Sequence, residues 1–455
     1  MRFKRIGQAN LNALIIPAAI VLLFLLIPFL FGFNPEKQLI IAAAIAAFLV
    51  ALINTNASLI MLIFSMLLSP EFSVGELGPR AIAIRLDDLL LLVISFTWLV
   101  KMAINKKLGL LRVTPLNAPL LSFIAICIIS TLLNLAEGER EITLIRSIFY
   151  IIKYFEYFLL FFMVTDNIQS SKDIKRFTLF LFIVCILVSI STYPQIVLAE
   201  KTTAPFEGGH GGEPNTLAGY QILLLAISTG ILLYAKSNLW QFSSIALILF
   251  TMPSFFYTQS RGGYLGFIFM YLALIILTRR KKAILIMILI AAVFFIPLVT
   301  PELIKTRINR TFTDPGRDYT VFGKRIHLED SAANRIESSK EVFKKWAERP
   351  ILGYGVTGLK LIDNQYTLVL GETGLIGVVI FVWLLAMIFK TSMTGLKQAD
   401  DAWSQGLIVG FLAGFVGLLG HGFSASTFII VRIMEPFWFI AAMINVLPEA
   451  KSEEK

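Results

Sequence analysis

Charge is what this chain of 455 residues lacks most. Only 15% of its residues are Asp, Glu, Lys or Arg, where a soluble domain carries about a quarter. Cysteine is scarce as well: Cys127 and Cys185 are the two present, both inside long apolar runs, which excludes a disulfide scaffold. The three histidines, His210, His327 and His421, are scattered, and no Cys/His spacing resembles a zinc site. Apolar residues make up the difference. They are 57% of the chain, and its mean hydropathy is +0.78. A soluble protein of this size could not hide so much apolar surface from water. Soluble enzymes and disordered proteins are therefore excluded, and a bilayer is required. The basic start and first apolar run are followed by no small-residue cleavage site, so the N-terminus reads as a retained span.

A spanning helix needs about 20 mostly apolar residues. Candidate spans lie at 11–33, 38–53, 56–69, 86–102, 117–135, 145–164, 176–198, 215–235, 239–257, 263–278, 283–300, 366–389, 404–421 and 426–447. The second and third are short enough to form one bent hairpin, so the expected fold is an all-α polytopic integral membrane protein with 12–14 transmembrane helices. Three regions are expected: transmembrane helices with short loops over 1–300, a long loop over 301–364, and C-terminal transmembrane helices over 365–455. No internal repeat is visible, which counts mildly against a transporter built from duplicated halves.

The net charge is +10, and its distribution gives sidedness. With the N-terminus in the cytoplasm, the cytoplasmic segments carry 19 of the 40 basic residues and the short outer loops carry 7. That asymmetry obeys the positive-inside rule. Both termini are then cytoplasmic. The segment 301–364 holds 12 basic and 9 acidic residues on the outer side. A structureless loop of that length is uncommon unless functional. Within it, 331–348 reads as a helix with Ser331 as N-cap, Ile336, Phe343 and Trp346 on one face, and Pro350 as its stop. It is expected along the membrane surface or over the span mouths.

Three motifs fall on that outer side. In Thr258-Gln259-Ser260-Arg261-Gly262-Gly263, a cation at a helix N-terminus opposes the helix dipole, and a bound anion would remove the conflict. An interfacial arginine that only snorkels explains the residue equally well. Gly208-Gly209-His210-Gly211-Gly212 could close on a substrate, although a plain flexible connection is the better reading. Pro214-Asn215 stands just where a span begins. Asp363-Asn364-Gln365-Tyr366 precedes another span, and Leu370-Gly371-Glu372-Thr373-Gly374 follows. Asp363 reads as an N-cap or as a general base, with residue chemistry alone favouring the cap. Inside the spans, Lys153 and Glu156 are three apart, as are Arg432 and Glu435. Both read as self-paired structural residues. His421 is too isolated to assign.

The ordered set resembles the O-antigen ligase and polymerase superfamily. Pro214-Asn215, Ser260-Arg261-Gly262-Gly263, a long loop with Arg335 ahead of Trp346, Arg349-Pro350-Ile351-Leu352-Gly353-Tyr354-Gly355, Asp363-Asn364-Gln365-Tyr366 and Glu372-Thr373-Gly374-Leu375-Ile376-Gly377 carry the resemblance. It implies a metal-independent membrane glycosyltransferase resembling the GT-C type, in the bacterial inner membrane, working at the outer face. The implied donor is an undecaprenyl-pyrophosphate-linked oligosaccharide. Membrane lipid and a chain-length regulator protein are the implied partners, and no cofactor, metal or nucleic acid is implied. Arg261 and Arg335 correspond to the arginines that engage the pyrophosphate, with Asp363 as base where ligases place a histidine. That aspartate favours the polymerase branch, with ligase as the alternative. Arg317, Arg325, His210, Asn215, Asn364, Tyr366 and His327 are the expected substrate-binding residues. A lipid-linked oligosaccharide flippase is the competing class, and it should line a cavity with cations deep in the spans.

Overall fold

The computed structural model describes residues 48–50, 53–75, 82–104, 112–136, 144–207, 212–299, 305–306, 315–321, 324–359 and 362–450. The described elements are α1 (Thr55–Leu68), β1 (Glu71–Gly75), β2 (Ile82–Arg85), α2 (Leu86–Ile104), α3 (Asn117–Ala136), α4 (Leu144–Asn167), α5 (Ser171–Ser191), α6 (Tyr193–Val197), α7 (Pro214–Tyr234), α8 (Asn238–Tyr257), α9 (Arg261–Leu277), α10 (Lys282–Val299), β3 (Gly316–Val321), β4 (Lys324–Glu329), α11 (Asp330–Trp346), α12 (Gln365–Gln398), α13 (Ala402–His421), a 3-10 turn (Thr427–Ile429) and α14 (Val431–Val446).

Among the described residues, seven helices are long and apolar enough to cross a membrane: α3, α4, α5 continuing through α6, α7, α8, α12 and α13. Helices α1, α9 and the first part of α10 are apolar but shorter. The chain is thus an all-α polytopic membrane protein, and the two short antiparallel hairpins among the described residues, β1–β2 and β3–β4, lie in the connections. The candidate span 11–33 and most of 38–53 lie outside the described residues.

Helix α7 is the axis of the bundle. It carries Gln221, Ser228 and Thr229 as well as aliphatic residues, and 89% of its most apolar window is buried. Ser228 and Thr229 donate back to Leu225 O of α7 itself at 3.1 and 2.7 Å, while Gln221 reaches neighbouring helices, donating to Ser254 Oγ at 2.8 Å and Ser189 Oγ at 3.3 Å. Interhelical hydrogen bonds of this kind hold membrane helices together where burial of apolar surface gives no preference for protein over lipid. Helix α13 reaches α7 through Gly406, Gly410 and Gly414, spaced four apart on one face. A Cβ added to Gly230 of α7 would stand 2.4 Å from Gly406 O and 2.6 Å from Gly410 N. The two backbones touch because neither helix has a side chain there.

Helix α12 is broken. Gly374 has φ 64°, ψ −163° in its middle, and the chain before the helix enters the gap. The N–H groups of Tyr354 and Gly355 donate to the carbonyls of Gly371 and Glu372 at 2.9 and 2.8 Å, and Leu375 N–H donates to Pro350 O at 2.9 Å. Ser130 and Asn134 of α3 donate to Glu372 O and Gly353 O at 2.7 and 3.1 Å, and Glu372 accepts from Thr357 N–H at 2.8 Å. Non-helical backbone at membrane depth is tolerated where protein satisfies it. The Leu370–Gly374 motif is therefore architectural, and the run of turns over Arg349–Gly355 fills the break.

The intramembrane charges correct one expectation. Lys153 does pair with Glu156, at 2.9 Å, and also with Asp88, at 2.7 Å. Arg432 does not pair with Glu435. Because α14 begins at Val431, Arg432 lies in its first turn and extends past the helix end. It donates there to the carbonyls of Leu67, Ser69, Pro205 and Phe206 and to Glu71 Oε1. Glu435, deeper in the same helix, stands 3.6 Å from Arg85, which also pairs with Asp87. Asp87, Asp88 and Glu435 form a buried group with the spacing of a metal site, but the Arg85 guanidinium already supplies positive charge among them.

Candidate active site

Helix α9 starts at Arg261 because Ser260 caps it. Ser260 Oγ accepts from Gly263 N–H at 2.9 Å and donates to Asn215 Oδ1 at 2.6 Å. The Pro214-Asn215 and Ser260–Gly263 motifs, 45 residues apart, are thereby locked together at the ends of α7 and α9. Gly262 and Gly263 are required by crowding. A Cβ on Gly262 would stand 1.7 Å from Ser424 Oγ, and one on Gly263 would stand 2.7 Å from the Ala218 side chain.

From this corner Arg261 forms an ion pair with Glu329. Glu329 ends β4 and stands at the N-cap position of α11. The polar segment therefore turns back onto the bundle, with the β3–β4 hairpin pairing Asp318 with His327 and Gly316 with Glu329 in register. Helix α11 starts at Asp330 with Glu329 in the cap position, so Ser331 is not the cap. Its inward side carries Ala333 and Val342, both buried, while Phe343 is half exposed. One turn into α11, Arg335 Nε lies 3.7 Å from Asp363 Oδ2.

Asp363 is not the cap of α12. Asn364 caps it, its Oδ1 accepting from Tyr366 N–H at 3.0 Å and Thr367 N–H at 3.2 Å, which leaves the Asp363 carboxylate, 44% exposed, for Arg335. Asn364 Nδ2 also donates to Phe423 O at 3.1 Å. The Tyr366 hydroxyl donates to Leu419 O at 2.6 Å, with its ring centroid 4.8 Å from that of Phe423. The start of α12 is thus sewn to the end of α13.

Six parts of the chain meet here: the starts of α7, α9 and α12, the end of α13, the β3–β4 hairpin and α11. Arg261, Arg335, Asp363, Asn215, Asn364 and Tyr366 all lie at this junction. Of the remaining expected residues, His327 and Arg317 do not join them directly. His327 pairs with Asp318 at 2.7 Å out on the hairpin, and Arg317 is exposed on β3, in register with Leu328 on the other side of the ribbon from that pair. Arg325 is on β4 opposite Thr320, and His210 lies outside the described residues.

Sequence reasoning missed three residues here. Glu329 carried no local signal. His421, fully buried at the end of α13, bonds Thr427 Oγ1 through Nδ1 at 2.8 Å and lies against Gly262 and Gly266. Gln365, also fully buried, accepts from Phe428 N–H at 2.8 Å. Each holds the 427–429 turn with one polar atom, while the Nε2 atoms of the His421 ring and of the Gln365 amide have no hydrogen-bond partner among the described residues. Unmet buried nitrogens are rare enough in folded proteins to mark a special environment.

Beside the junction, α8, α9 and α10 enclose a lateral groove of about 390 Å³, lined by residues such as Phe256, Phe267, Tyr271 and Leu289. It begins a turn and a half below Arg261 and is almost wholly apolar.

Residues 245–382 match the family model described as Wzy_C: O-Antigen ligase. The matched stretch contains Arg261, Glu329, Arg335, Asp363 and the broken part of α12. It places this region in the O-antigen ligase/polymerase superfamily and does not separate the two branches. No curated protein matches the chain.

Proposed function

We propose, for a membrane protein carrying this O-antigen ligase region, that it transfers a lipid-linked glycan as a polymerase, extending a polysaccharide one repeat unit at a time from an undecaprenyl-pyrophosphate donor at the outer face of the inner membrane. The observation that carries the reading is the convergence of two arginines from separate elements. Arg261 sits at a capped helix start and holds Glu329, the residue at the N-cap position of α11, and Arg335, on that same helix, holds Asp363. A pyrophosphate replaces those carboxylates as the anionic partner.

The chemistry asks little more. The acceptor sugar's hydroxyl oxygen attacks the donor's anomeric carbon. The C–O bond to the pyrophosphate breaks, and its electron pair leaves with the phosphate oxygen. Negative charge grows there as the bond stretches, so guanidinium groups fixed in advance stabilise the transition state more than the bound substrate. A planar guanidinium bridges two phosphate oxygens, as a lysine cannot. The hydroxyl proton passes to Asp363, whose carboxylate is released from capping duty by Asn364. The apolar groove along α9 suits the polyprenyl tail.

The second reading is ligase, the activity named in the description of the matching family model, which does not separate the two branches. Purified protein given a lipid-linked repeat unit alone separates the two: a ladder of products supports polymerase, and transfer only when a lipid A core acceptor is added supports ligase. Arg261→Ala should lower the transfer rate roughly 100- to 1000-fold, and Arg261→Lys should recover only part of it. Asp363→Asn should abolish most turnover without unfolding, because the cap of α12 is untouched. Near-normal product from folded Arg261→Ala would sink the pyrophosphate role.

A further inference from the structure

The end of α9 opposite Arg261 carries a second charged feature. The connection to α10 runs Thr278-Arg279-Arg280-Lys281-Lys282, four cations in succession. It is pinned tightly. Arg279 N–H donates to the Tyr234 hydroxyl at 3.0 Å, and the Thr278 hydroxyl donates to Arg280 O at 2.9 Å. The Arg280 guanidinium lies 5.3 Å over the Tyr234 ring. Lys281 takes φ 51°, a left-handed conformation unfavourable for a residue with a Cβ. Facing this turn, the end of α12 contributes Lys397. Between the two walls lie two adjoining hollows of about 300 and 460 Å³, which share Leu277, Arg279, Met393 and Leu396.

Among the described residues, no carboxylate forms an ion pair with Arg279, Arg280, Lys282 or Lys397. Like charges held this close repel, and concave walls concentrate their field, which raises the local concentration of anions. The second hollow also reaches Ile276, 74% exposed on the belt that faces lipid. One end of the cleft is cationic, and the other opens onto the acyl region. A free phosphate would use only the first. An amphiphile with an anionic head uses both.

We propose that this cleft binds the phosphate headgroup of an anionic membrane lipid, with Arg279, Arg280, Lys282 and Lys397 on the headgroup and Met393 and Leu396 along the first carbons of an acyl chain. Basic pockets between membrane helices commonly select such headgroups. The site is independent of the glycan chemistry at the other end of α9.

The test is native mass spectrometry on the full chain in mixed micelles of phosphatidylglycerol and phosphatidylcholine. Wild type should retain phosphatidylglycerol roughly tenfold over phosphatidylcholine. The triple variant Arg279→Gln/Arg280→Gln/Lys397→Gln should lose that preference while melting as wild type does in phosphatidylcholine alone. Lys172→Gln/Arg176→Gln is the control. It removes two cations from the first turns of α5 on the same face, where Lys175 lies over Trp403, and it should change nothing. Equal loss in the control means diffuse surface charge and overturns the site. Stabilisation by millimolar inorganic phosphate equal to that by phosphatidylglycerol overturns the lipid assignment in favour of a free anion. Should the triple variant fail to fold, Lys397→Gln alone, on the exposed end of α12, should lower the preference about threefold. An unchanged preference there overturns the proposal.

Discussion

Replacing Arg432 by Met should be among the most damaging single changes in this chain. The side chain is 2% exposed. Its two terminal nitrogens donate to Leu67 O at 3.1 Å, Pro205 O at 2.8 Å, Ser69 O at 3.4 Å, Phe206 O at 3.3 Å and Glu71 Oε1 at 3.2 Å. A hydrogen bond from a charged donor contributes about 1.5–3 kcal/mol net. Five would suggest far more than the change will cost, because several are long and water reaches Glu71, whose side chain is 18% exposed. Removing one partner of a buried ion pair typically destabilises by about 3–5 kcal/mol, and that is the expected loss. Methionine fills the volume, so the loss reports charge and not a cavity. Arg432→Lys brings three donors and no fork and should cost about half as much. The assay is reversible unfolding in mixed micelles, with limited proteolysis of the connection between α6 and α7 as a local readout. A Met variant within about 1 kcal/mol of wild type, with that connection no more cleavable, would refute the reasoning.

Further outcomes follow from other contacts. Gly230→Ala should destabilise by about 1–3 kcal/mol in the same unfolding assay, although Ala is the better helix former by about 1 kcal/mol. The new Cβ would stand 2.4 Å from Gly406 O, and a more stable variant would show that α7 and α13 do not touch as described. Burial pushes the Glu207 carboxyl up from 4.5 to about 7, with Arg432 opposing and Glu71 and Glu213 adding to the rise. The folded chain then holds a proton the unfolded chain has lost, so stability should fall as pH rises from 4.5 to about 7. Glu207→Gln keeps the acceptor for Glu213 N–H and should flatten that part of the melting profile; an unchanged slope assigns it to another group. Asn215→Ala removes the acceptor of the Ser260 hydroxyl and should slow transfer up to roughly 100-fold by misplacing Arg261. Asn215→Asp keeps an oxygen there and should recover most of the rate, so equal losses would exclude the positioning role.

How much of this was legible beforehand depends on the range of the interaction. The helix start at Arg261 follows from a serine cap within the same turn, so local chemistry exposes it. The all-α membrane fold follows from apolar run length, which is also local. The partner of Arg261 was hidden, because Glu329 is an ordinary acid in a polar segment until the β3–β4 hairpin and α11 carry it back. Asp363 and Asn364 are both good caps, and only the hydrogen bonds of Asn364 decide between them. Arg432 and Glu435 have the spacing of a helical ion pair. Their separation became visible only once α14 was found to begin at Val431, which sends Arg432 out of the helix. His421 stood alone in its span and Gln365 was only one member of a motif, so neither could be assigned: their setting exists only where the end of α13 meets the start of α12.

The break in α12 bears on how this chain can vary. Gly353 and Gly374 both have positive φ, and they face each other. A Cβ on Gly353 would stand 2.5 Å from Gly371 O and 2.7 Å from Gly374 N, and one on Gly374 would stand 2.4 Å from Ile351 O. Any single replacement at either position meets backbone, which no change of rotamer relieves. Substitution at one cannot be offset at the other, because each needs the room the other leaves. In a library of variants the two should behave as one locus, lost or kept together, and a compensating revertant should come from rebuilding the whole 349–357 segment instead of from any single residue.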